Sequence, residues 1–352
     1  MRINMGRIVS VALAVALIVS PAFAVDNAKV ERVDAARVMV SWSDPSPVSV
    51  YVSDDPVGPV ATAKLVSKDD RSGSLALPLD TLQRHYVLLQ AKRGGKVTRV
   101  AERLLPLEQG SNFRDIGGYK GADGKTVRWG MIYRSGATPL LTDGDLGQVR
   151  ALGLRTMIDL RSSEERSLAP SKIGGIEYQS IGYSMLTMMG DRKTLTNGGN
   201  LYRNFPTFLA PQLRLVFEDL LMNKGPIAYN CSAGQDRTGF ATAMVLSALG
   251  VPRATILTDY HLSTAYRRPE FELPKIDPAL AGTNPVAGMF AAVQKSPASS
   301  KPQPLRDPDG RAFLDSAFDE IASKYGSVDT YLEKEIGLTP VKRARLRALY
   351  LE

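Results

Sequence analysis

The 352-residue chain has one cysteine, Cys231, and only two histidines. A single cysteine excludes an internal disulfide, and this composition leaves no spacing typical of a zinc site. We expect no metal and no cofactor. There is also no long run of lysine or arginine, so the formal net charge of +8 favours anionic ligands without indicating nucleic acid.

Long apolar runs are scarce, and the one that stands out begins the sequence. Arg2 and Arg7 precede or flank an apolar run over residues 8–19, and Ala-Phe-Ala at 22–24 has the small-x-small form of a cleavage site. This order predicts a signal peptide over residues 1–24; an uncleaved anchor is the alternative, although the run is short for a bilayer. We expect export to the periplasm or the medium, with no membrane span after cleavage, and the sequence does not indicate an oligomeric state.

Residues 25–105 have the alternating, β-branched pattern of strands, interrupted by segments rich in proline and aspartate. Strands are predicted over residues 38–42, 48–52, 86–91 and 96–101. The pattern resembles a small sandwich of the immunoglobulin or fibronectin type, although the segment is short for seven strands. We therefore expect a small N-terminal all-β domain.

From residue 106 to the end of the chain, predicted strands alternate with predicted helices, which is typical of a largely parallel sheet flanked by helices. Helices are predicted over 142–152, 205–222, 238–249, 311–324, 327–336 and 340–350, and strands over 156–160, 176–181 and 227–230. Two stretches, 184–200 and 267–310, have no clean period. They are predicted to be loops or a lid, with disorder as the alternative.

The segment 229–239 reads Tyr-Asn-Cys-Ser-Ala-Gly-Gln-Asp-Arg-Thr-Gly and lies between a predicted strand and a predicted helix. A loop at a helix N-terminus presents unpaired N–H groups and a positive field, which together can hold a phosphate. Arg237 can clamp two phosphate oxygens. The same field favours the thiolate of Cys231, which can attack phosphorus and form a phosphocysteine. Thr238 can donate a hydrogen bond to the thiolate as it leaves.

The other loop residues are predicted to bind the phosphate of the substrate: Ser232, Ala233, Gly234 and Gln235. Gly234 permits a tight turn without strain from a Cβ atom. The alternative for the whole constellation is a buried, inert cysteine beside a surface arginine.

The leaving alkoxide or phenolate needs a proton from a carboxyl group within reach. Asp236 is the predicted general acid, with helix capping as its alternative role. Asp159 is the rival and a further predicted substrate-binding residue, because it ends a predicted parallel strand. An ion pair with Arg161 or Arg134 is the alternative for Asp159.

The loop resembles the signature loop of the tyrosine phosphatase superfamily. More narrowly, it is similar to the bacterial dual-specificity, phosphoinositide-competent branch, whose loop reads His-Cys-x-x-Gly-Lys-Asp-Arg-Thr-Gly. The segments Asn-Phe-Arg-Asp-Ile-Gly-Gly-Tyr at 112–119, Tyr-Arg-Ser-Gly at 133–136 and Ile-Asp-Leu-Arg-Ser at 158–162 resemble further motifs of that branch. The resemblance implies a cysteine-dependent phosphatase domain over residues 106–352, with a tyrosine-phosphatase-like central sheet flanked by helices. It also implies that Asp236 acts as the acid.

Two positions depart from the pattern of that branch. Asn230 replaces its histidine, which implies a less acidic thiol, and Gln235 replaces its lysine, which removes a cation that would grip a polyphosphorylated head group. We therefore expect a phosphorylated protein, with phosphotyrosine foremost, or a small phosphomonoester as the substrate. The alternatives are a phosphoinositide phosphatase, a catalytically impaired module that binds phosphorylated ligands, and a rhodanese-type sulfur-transfer enzyme, against which the Asp-Arg-Thr-Gly run argues.

Several charged residues outside the loop also have predicted roles. Arg114 and Asp115 are predicted to pair with each other and brace the loop, whereas Arg134 and Arg161 either widen the positive field or pair with neighbouring glutamates. His261 is predicted to be a packing or surface residue.

Overall fold

A computed structural model describes residues 25–93, 96–186, 198–296 and 301–352 of the chain. The predicted signal peptide and most of the predicted loop 184–200 lie outside the described residues, and both stay predictions. No helix in the described ranges combines the length and the apolar character needed to cross a bilayer.

The first strands form two antiparallel sheets. One has the order β1-β2-β5 and the other β4-β3-β6-β7. The strands are β1 (Asp26–Asp34), β2 (Arg37–Ser43), β3 (Val48–Ser53), β4 (Lys64–Asp70), β5 (Ser74–Leu77), β6 (Tyr86–Ala91) and β7 (Val97–Ala101). Alternate side chains of both sheets, such as Val38, Val40, Val50 and Leu89, meet in one core. This is the packing that the period-two pattern predicts.

A five-stranded sheet follows in the described chain, in the order β11-β10-β12-β9-β8. Its strands are β8 (Arg114–Asp115), β9 (Ile132–Ser135), β10 (Thr156–Asp159), β11 (Glu177–Ser180) and β12 (Ile227–Asn230). Strands β9 to β12 are parallel, and only β8 is antiparallel. In register, Asn230 lies beside Asp159 on one side and Ser135 on the other. The loop that leaves β12 therefore begins at the carboxyl edge of the parallel strands, where ligand sites of α/β proteins form.

Helices flank this sheet, so this part of the molecule has the predicted mixed α/β character. They are α1 (Asp143–Ala151), α2 (Ser163–Leu168), α3 (Gly198–Phe208), α4 (Ala210–Met222), α5 (Arg237–Ala248), α6 (Arg253–Tyr266), α7 (Pro278–Thr283), α8 (Pro285–Lys295), α9 (Phe313–Tyr325), α10 (Val328–Lys334) and α11 (Pro340–Tyr350). Helix α5 is buried along nearly its whole length. Small residues at its surface, such as Ala241 and Ala243, allow this close packing.

Two predictions about the helices are wrong. The single helix expected over residues 205–222 is two helices, α3 and α4, because the chain turns at Leu209 out of helical geometry. The stretch 267–310, expected to be irregular, contains α7 and α8. Asp277 and Asn284 cap these helices through their side chains, and each is followed by a proline at the first helical position.

The N-terminal sheets and the α/β part are joined by buried contacts. Arg84 donates a hydrogen bond to Asp115 at 3.1 Å, and Trp129 packs in a cluster with Tyr86 and Leu88. The predicted pair between Arg114 and Asp115 is therefore wrong, since adjacent residues of a strand point to opposite faces and find different partners. The predicted domain boundary at residue 105 stays a prediction.

Candidate active site

The loop between β12 and α5 is held by its carbonyl groups. The Ser232 carbonyl accepts from the Ala137 amide at 2.9 Å. Asn112 Nδ2 donates to the carbonyls of Ala233 and Gly234 at 3.1 and 2.8 Å. The amides of residues 232–236 donate to no acceptor among the described residues. Because its carbonyl groups accept hydrogen bonds from residues outside the loop, the amides of the loop are available to bind an anion in front of α5.

Gly234 occupies the tightest point of this loop. Its φ is +65°, and a Cβ atom there would lie 2.5 Å from the Gly136 nitrogen and from the Ser135 carbonyl carbon. A side chain would therefore be both strained and in collision with backbone, which confirms the need for glycine at this position.

Two buried arginines share one carboxylate behind the loop. Asp259 of α6 accepts from Arg134 Nη1 at 2.6 Å and from Arg114 Nε at 3.2 Å. Burial alone would raise the pKa of Asp259, but the two guanidinium groups hold it well below its ordinary value. Arg134 also donates to the Gly234 carbonyl at 2.8 Å, and Arg114 to the side-chain oxygen of Asn112. These arginines brace the loop from behind instead of pairing with surface glutamates.

Arg237, at the first position of α5, has a fixed orientation. Its Nη1 and Nη2 each donate to one oxygen of Glu165 at 2.7 Å, and Nη1 also donates to the Tyr183 hydroxyl at 2.6 Å. Burial works to lower the pKa of Arg237, but the Glu165 carboxylate reverses this, so the pKa is raised well above its ordinary value. Burial likewise opposes ionisation of Glu165, yet Arg237 brings its pKa down to about 2.

The remaining N–H groups of Arg237 form a free edge. Of the five N–H donors of a guanidinium, Nη1 uses two and Nη2 one, which leaves Nε–H and one Nη2–H with no partner among the described residues. These two groups lie side by side, the geometry that binds two oxygens of a phosphate. Glu165 thus fixes the guanidinium group of Arg237 and leaves these two donors without a partner among the described residues.

Cys231 is a free thiol at the base of the loop and is 1% exposed. The sulfur lies within electrostatic reach of the guanidinium groups of Arg237 and Arg267. Thr238 Oγ1 is buried and has no hydrogen-bond partner among the described residues. Asn230 Nδ2 donates to the Cys231 carbonyl at 3.2 Å.

The two candidate acids have different surroundings. Asp236 precedes α5, but its side chain makes no capping hydrogen bond; it accepts from the Tyr202 hydroxyl at 2.6 Å. Asp159 is fully buried, bound by Arg161 in an ion pair of 2.6 Å, and accepts from the Tyr178 hydroxyl at 2.5 Å. Asp159 therefore has the ion-pair role that was its alternative, whereas Asp236 forms no ion pair among the described residues.

Arg267 is a charged residue of the site that sequence analysis missed. Its Nη1 donates to Gln235 Oε1 at 3.3 Å, and Glu272 binds the rest of its guanidinium at 2.9 Å. Burial works to lower the pKa of Arg267, but Glu272 raises it. A cation from the end of α6 therefore lies beside the position where the related loops have lysine.

A cavity of about 600 Å³ opens beside the loop. Ser232 and Ala233 contribute one wall, and the segment after α6 with helix α8 contributes the other, through Arg267, Ile276 and Phe290. The stretch 267–310 thus shapes the approach to the loop. The sequence suggested a loop or lid here but did not identify which residues line the cavity, since the contacts join segments far apart in the chain.

This arrangement agrees with comparisons to known proteins. A model of a family described as tyrosine phosphatase family matches residues 105–352. The chain therefore belongs to the tyrosine phosphatase family and is a phosphatase.

Among similar sequences is a Cupriavidus necator protein named as a tyrosine-protein phosphatase, 29% identical over 77% of this chain and 96% of that protein. The triple specificity protein phosphatase PtpB of Mycobacterium tuberculosis is 31% identical over 42% of this chain and 65% of its own length. The crystal structure of P. aeruginosa TpbA aligns over 42% of this chain and 88% of that chain, at 14% identity and a TM-score of 0.27.

Proposed function

We propose that this phosphatase hydrolyses phosphotyrosine-type phosphomonoesters through a phosphocysteine at Cys231. The observation that carries the proposal is the loop of residues 231–237: outward carbonyls, free amides, and a buried guanidinium with one free edge. Together these groups provide hydrogen-bond donors for a phosphoryl group in the loop that begins at Cys231.

In the first step the Cys231 thiolate attacks phosphorus, and the bond between phosphorus and the ester oxygen breaks. The electron pair of that bond stays with the leaving oxygen, which takes a proton from Asp236. The loop amides and the free edge of Arg237 hold the equatorial oxygens. In the second step water gives a proton to the Asp236 carboxylate and attacks phosphorus; the bond between phosphorus and sulfur breaks, which releases inorganic phosphate and the Cys231 thiolate. Thr238 Oγ1, buried and without a partner, is available to donate to the departing thiolate.

The cavity beside the loop supports an aromatic ester as the substrate. Ile276 and Phe290 give it apolar surface next to Ser232 and Ala233, so a phenyl ring could be buried while its phosphate is bound by the loop. Gln235 carries no charge where the related loops have lysine, and Arg267 is paired with Glu272, so neither residue offers an unpaired cation to a second phosphate.

The test is turnover of a phosphotyrosyl peptide and p-nitrophenyl phosphate by the wild type and by Cys231→Ser. We expect Cys231→Ser to have no measurable turnover and the wild type to yield a phosphoenzyme when it is rapidly denatured at alkaline pH, where a phosphocysteine is stable. A phosphoinositide substrate panel run in parallel addresses the alternative specificity. If the wild type is no faster than Cys231→Ser but still binds phosphate, the protein is a phosphate-binding module instead.

We further propose that residues 25–105 form a small β domain of the immunoglobulin or fibronectin type. Two antiparallel sheets over a shared core support this.

A further inference from the structure

Two tyrosine hydroxyls form a hydrogen-bonded chain that ends at the loop. Tyr260 of α6 donates to the Tyr202 hydroxyl at 2.7 Å, and Tyr202 of α3 donates to Asp236 Oδ1 at 2.6 Å. Each phenol has one proton and an ionised carboxylate has none, so every donor in the chain points toward Asp236. Such a series polarises each successive bond and strengthens the last one.

Packing holds both rings in place. Tyr202 is 1% exposed, and its ring centroid lies 4.7 Å from that of Phe205 and 6.0 Å from that of Tyr260, with the two tyrosine rings nearly perpendicular. Burial first, and then the negative charge of Asp236, raises the pKa of both phenols above the ordinary value. Both hydroxyls therefore stay protonated, and both can donate over the pH range in which a phosphatase works.

The hydrogen-bonded series of tyrosine hydroxyls uses only one oxygen of the Asp236 carboxyl group. Oδ1 accepts from Tyr202, whereas Oδ2 makes no hydrogen bond among the described residues, and the carboxylate caps no helix amide. We infer that Tyr202 is a positioning residue for Asp236: it turns Oδ2 toward the bound ester and stabilises the carboxylate that forms when the proton leaves. The proton passes from Oδ2 to the ester oxygen as the bond to phosphorus breaks. The inference rests on the proposed function, in which Asp236 is the acid.

The test exploits the leaving group. p-Nitrophenolate leaves readily without a proton, whereas phenolate needs one, so only phenyl phosphate depends strongly on the acid. Tyr202→Phe keeps the ring and removes the hydroxyl. We expect kcat/KM for phenyl phosphate to fall about tenfold to a hundredfold, the value of a hydrogen bond to a charged group, with little change for p-nitrophenyl phosphate. Tyr260→Phe should show the same selectivity with a smaller loss.

A matched control is a tyrosine hydrogen bond to the same helix, α3, made from α10. The Tyr331 hydroxyl is buried and donates to the Pro206 carbonyl of α3 at 2.7 Å, but it does not reach Asp236. Tyr331→Phe therefore removes a comparable buried hydrogen bond outside the chain of hydroxyls. Any effect of Tyr331→Phe should be equal for the two substrates.

A double variant completes the design. If Tyr202 acts through Asp236, adding Tyr202→Phe to Asp236→Asn should cause no further loss on phenyl phosphate. Equal losses on both substrates in Tyr202→Phe, or additive losses in the double variant, would overturn the inference and leave the proposed acid intact. If Asp236→Asn itself shows no dependence on the leaving group, the assignment of the acid fails, and the role of Tyr202 fails with it.

Discussion

The ion pair between Glu165 and Arg237 makes the stability of the folded chain depend on pH. The pKa of Glu165 is lowered from its ordinary value of 4.5 to about 2 in the folded state. A carboxyl group whose pKa is depressed in the folded state stabilises the fold fully at pH values above its unfolded-state pKa. This contribution is lost as the pH falls through its folded-state pKa. The sensitive window is therefore between about pH 5 and pH 2.

Glu165→Gln should remove this dependence. We expect the variant to lose about 3 kcal/mol of unfolding free energy at pH 7, because Arg237 stays buried without its partner. The difference between wild type and variant should shrink as the pH falls from 5 to 2. Denaturant titrations across that range measure both effects, and parallel pH curves for the two proteins would contradict the prediction.

Gly234 can be compared with a second glycine of the same backbone conformation. Gly153 has φ +64° but nothing within 4 Å of a Cβ atom, whereas Gly234 would collide with backbone. Gly153→Ala should lower the unfolding free energy by about 1 kcal/mol, which is the strain of the left-handed backbone geometry alone. Gly234→Ala should cost more and should also abolish turnover of p-nitrophenyl phosphate. If thermal unfolding shows that Gly153→Ala and Gly234→Ala destabilise the protein equally, the loop adapts to a side chain at residue 234 and the prediction is wrong.

At this scale the sequence predicted the groups within the loop but not their partners. Cys231, Gly234, Asp236 and Arg237 are adjacent in the chain, so spacing alone brings them together. Glu165 and Arg267 approach the loop only after the chain has folded, through contacts between distant segments. Nothing in a local pattern distinguishes a glutamate that binds an arginine from one on the surface.

Helix α6 supports the active-site loop as one element. Its Asp259 holds two arginines that in turn contact the Gly234 carbonyl and Asn112. Removing the charge leaves two buried guanidinium groups without a counter-ion, so Asp259→Asn should cost about 3–5 kcal/mol of unfolding free energy.

A surface pair serves as the control for Asp259→Asn. Asp319 and Arg311 form an ion pair that is about two-fifths exposed, and Asp319→Asn should change the unfolding free energy by at most about 1 kcal/mol. Denaturant unfolding measures both variants. If they cost the same, the Asp259 network does not brace the loop.

End signals identified some helices correctly and were overlooked in others. Thr142 forms a capping box with Asp145, and α1 begins where expected. Helices α7 and α8 were missed because proline and serine dominate the surrounding stretch. Their signals were present, since Asp277-Pro278 and Asn284-Pro285 each place a capping side chain before a proline.

The whole molecule shares contacts across the predicted domain boundary. Trp129 from the α/β part packs with Tyr86 and Leu88 of the N-terminal sheets, and the Arg84–Asp115 pair is buried beside them. We expect calorimetry to show one cooperative unfolding transition. Arg84→Met should lower the unfolding free energy by about 3 kcal/mol, because Asp115 stays buried without its partner, and should shift this transition to lower temperature. Two separate transitions, or a shift confined to one of them, would contradict this.

The α/β character at the scale of the molecule was predictable because strands and helices alternate with clear periods. The short strands β8 and β9 were not predicted as strands. Strand β8 has only two residues, which are too few to show a period, and both strands carry charged side chains whose burial depends on partners elsewhere in the fold.

The anchored carbonyls of the loop have one more consequence. Because they fix the shape of the anion cradle before any ligand arrives, the cradle fits free orthophosphate as well as the phosphoryl group of an ester. The released ion and the next ester then compete for the same amides. Product inhibition by orthophosphate, competitive with the substrate, should therefore accompany turnover from the outset.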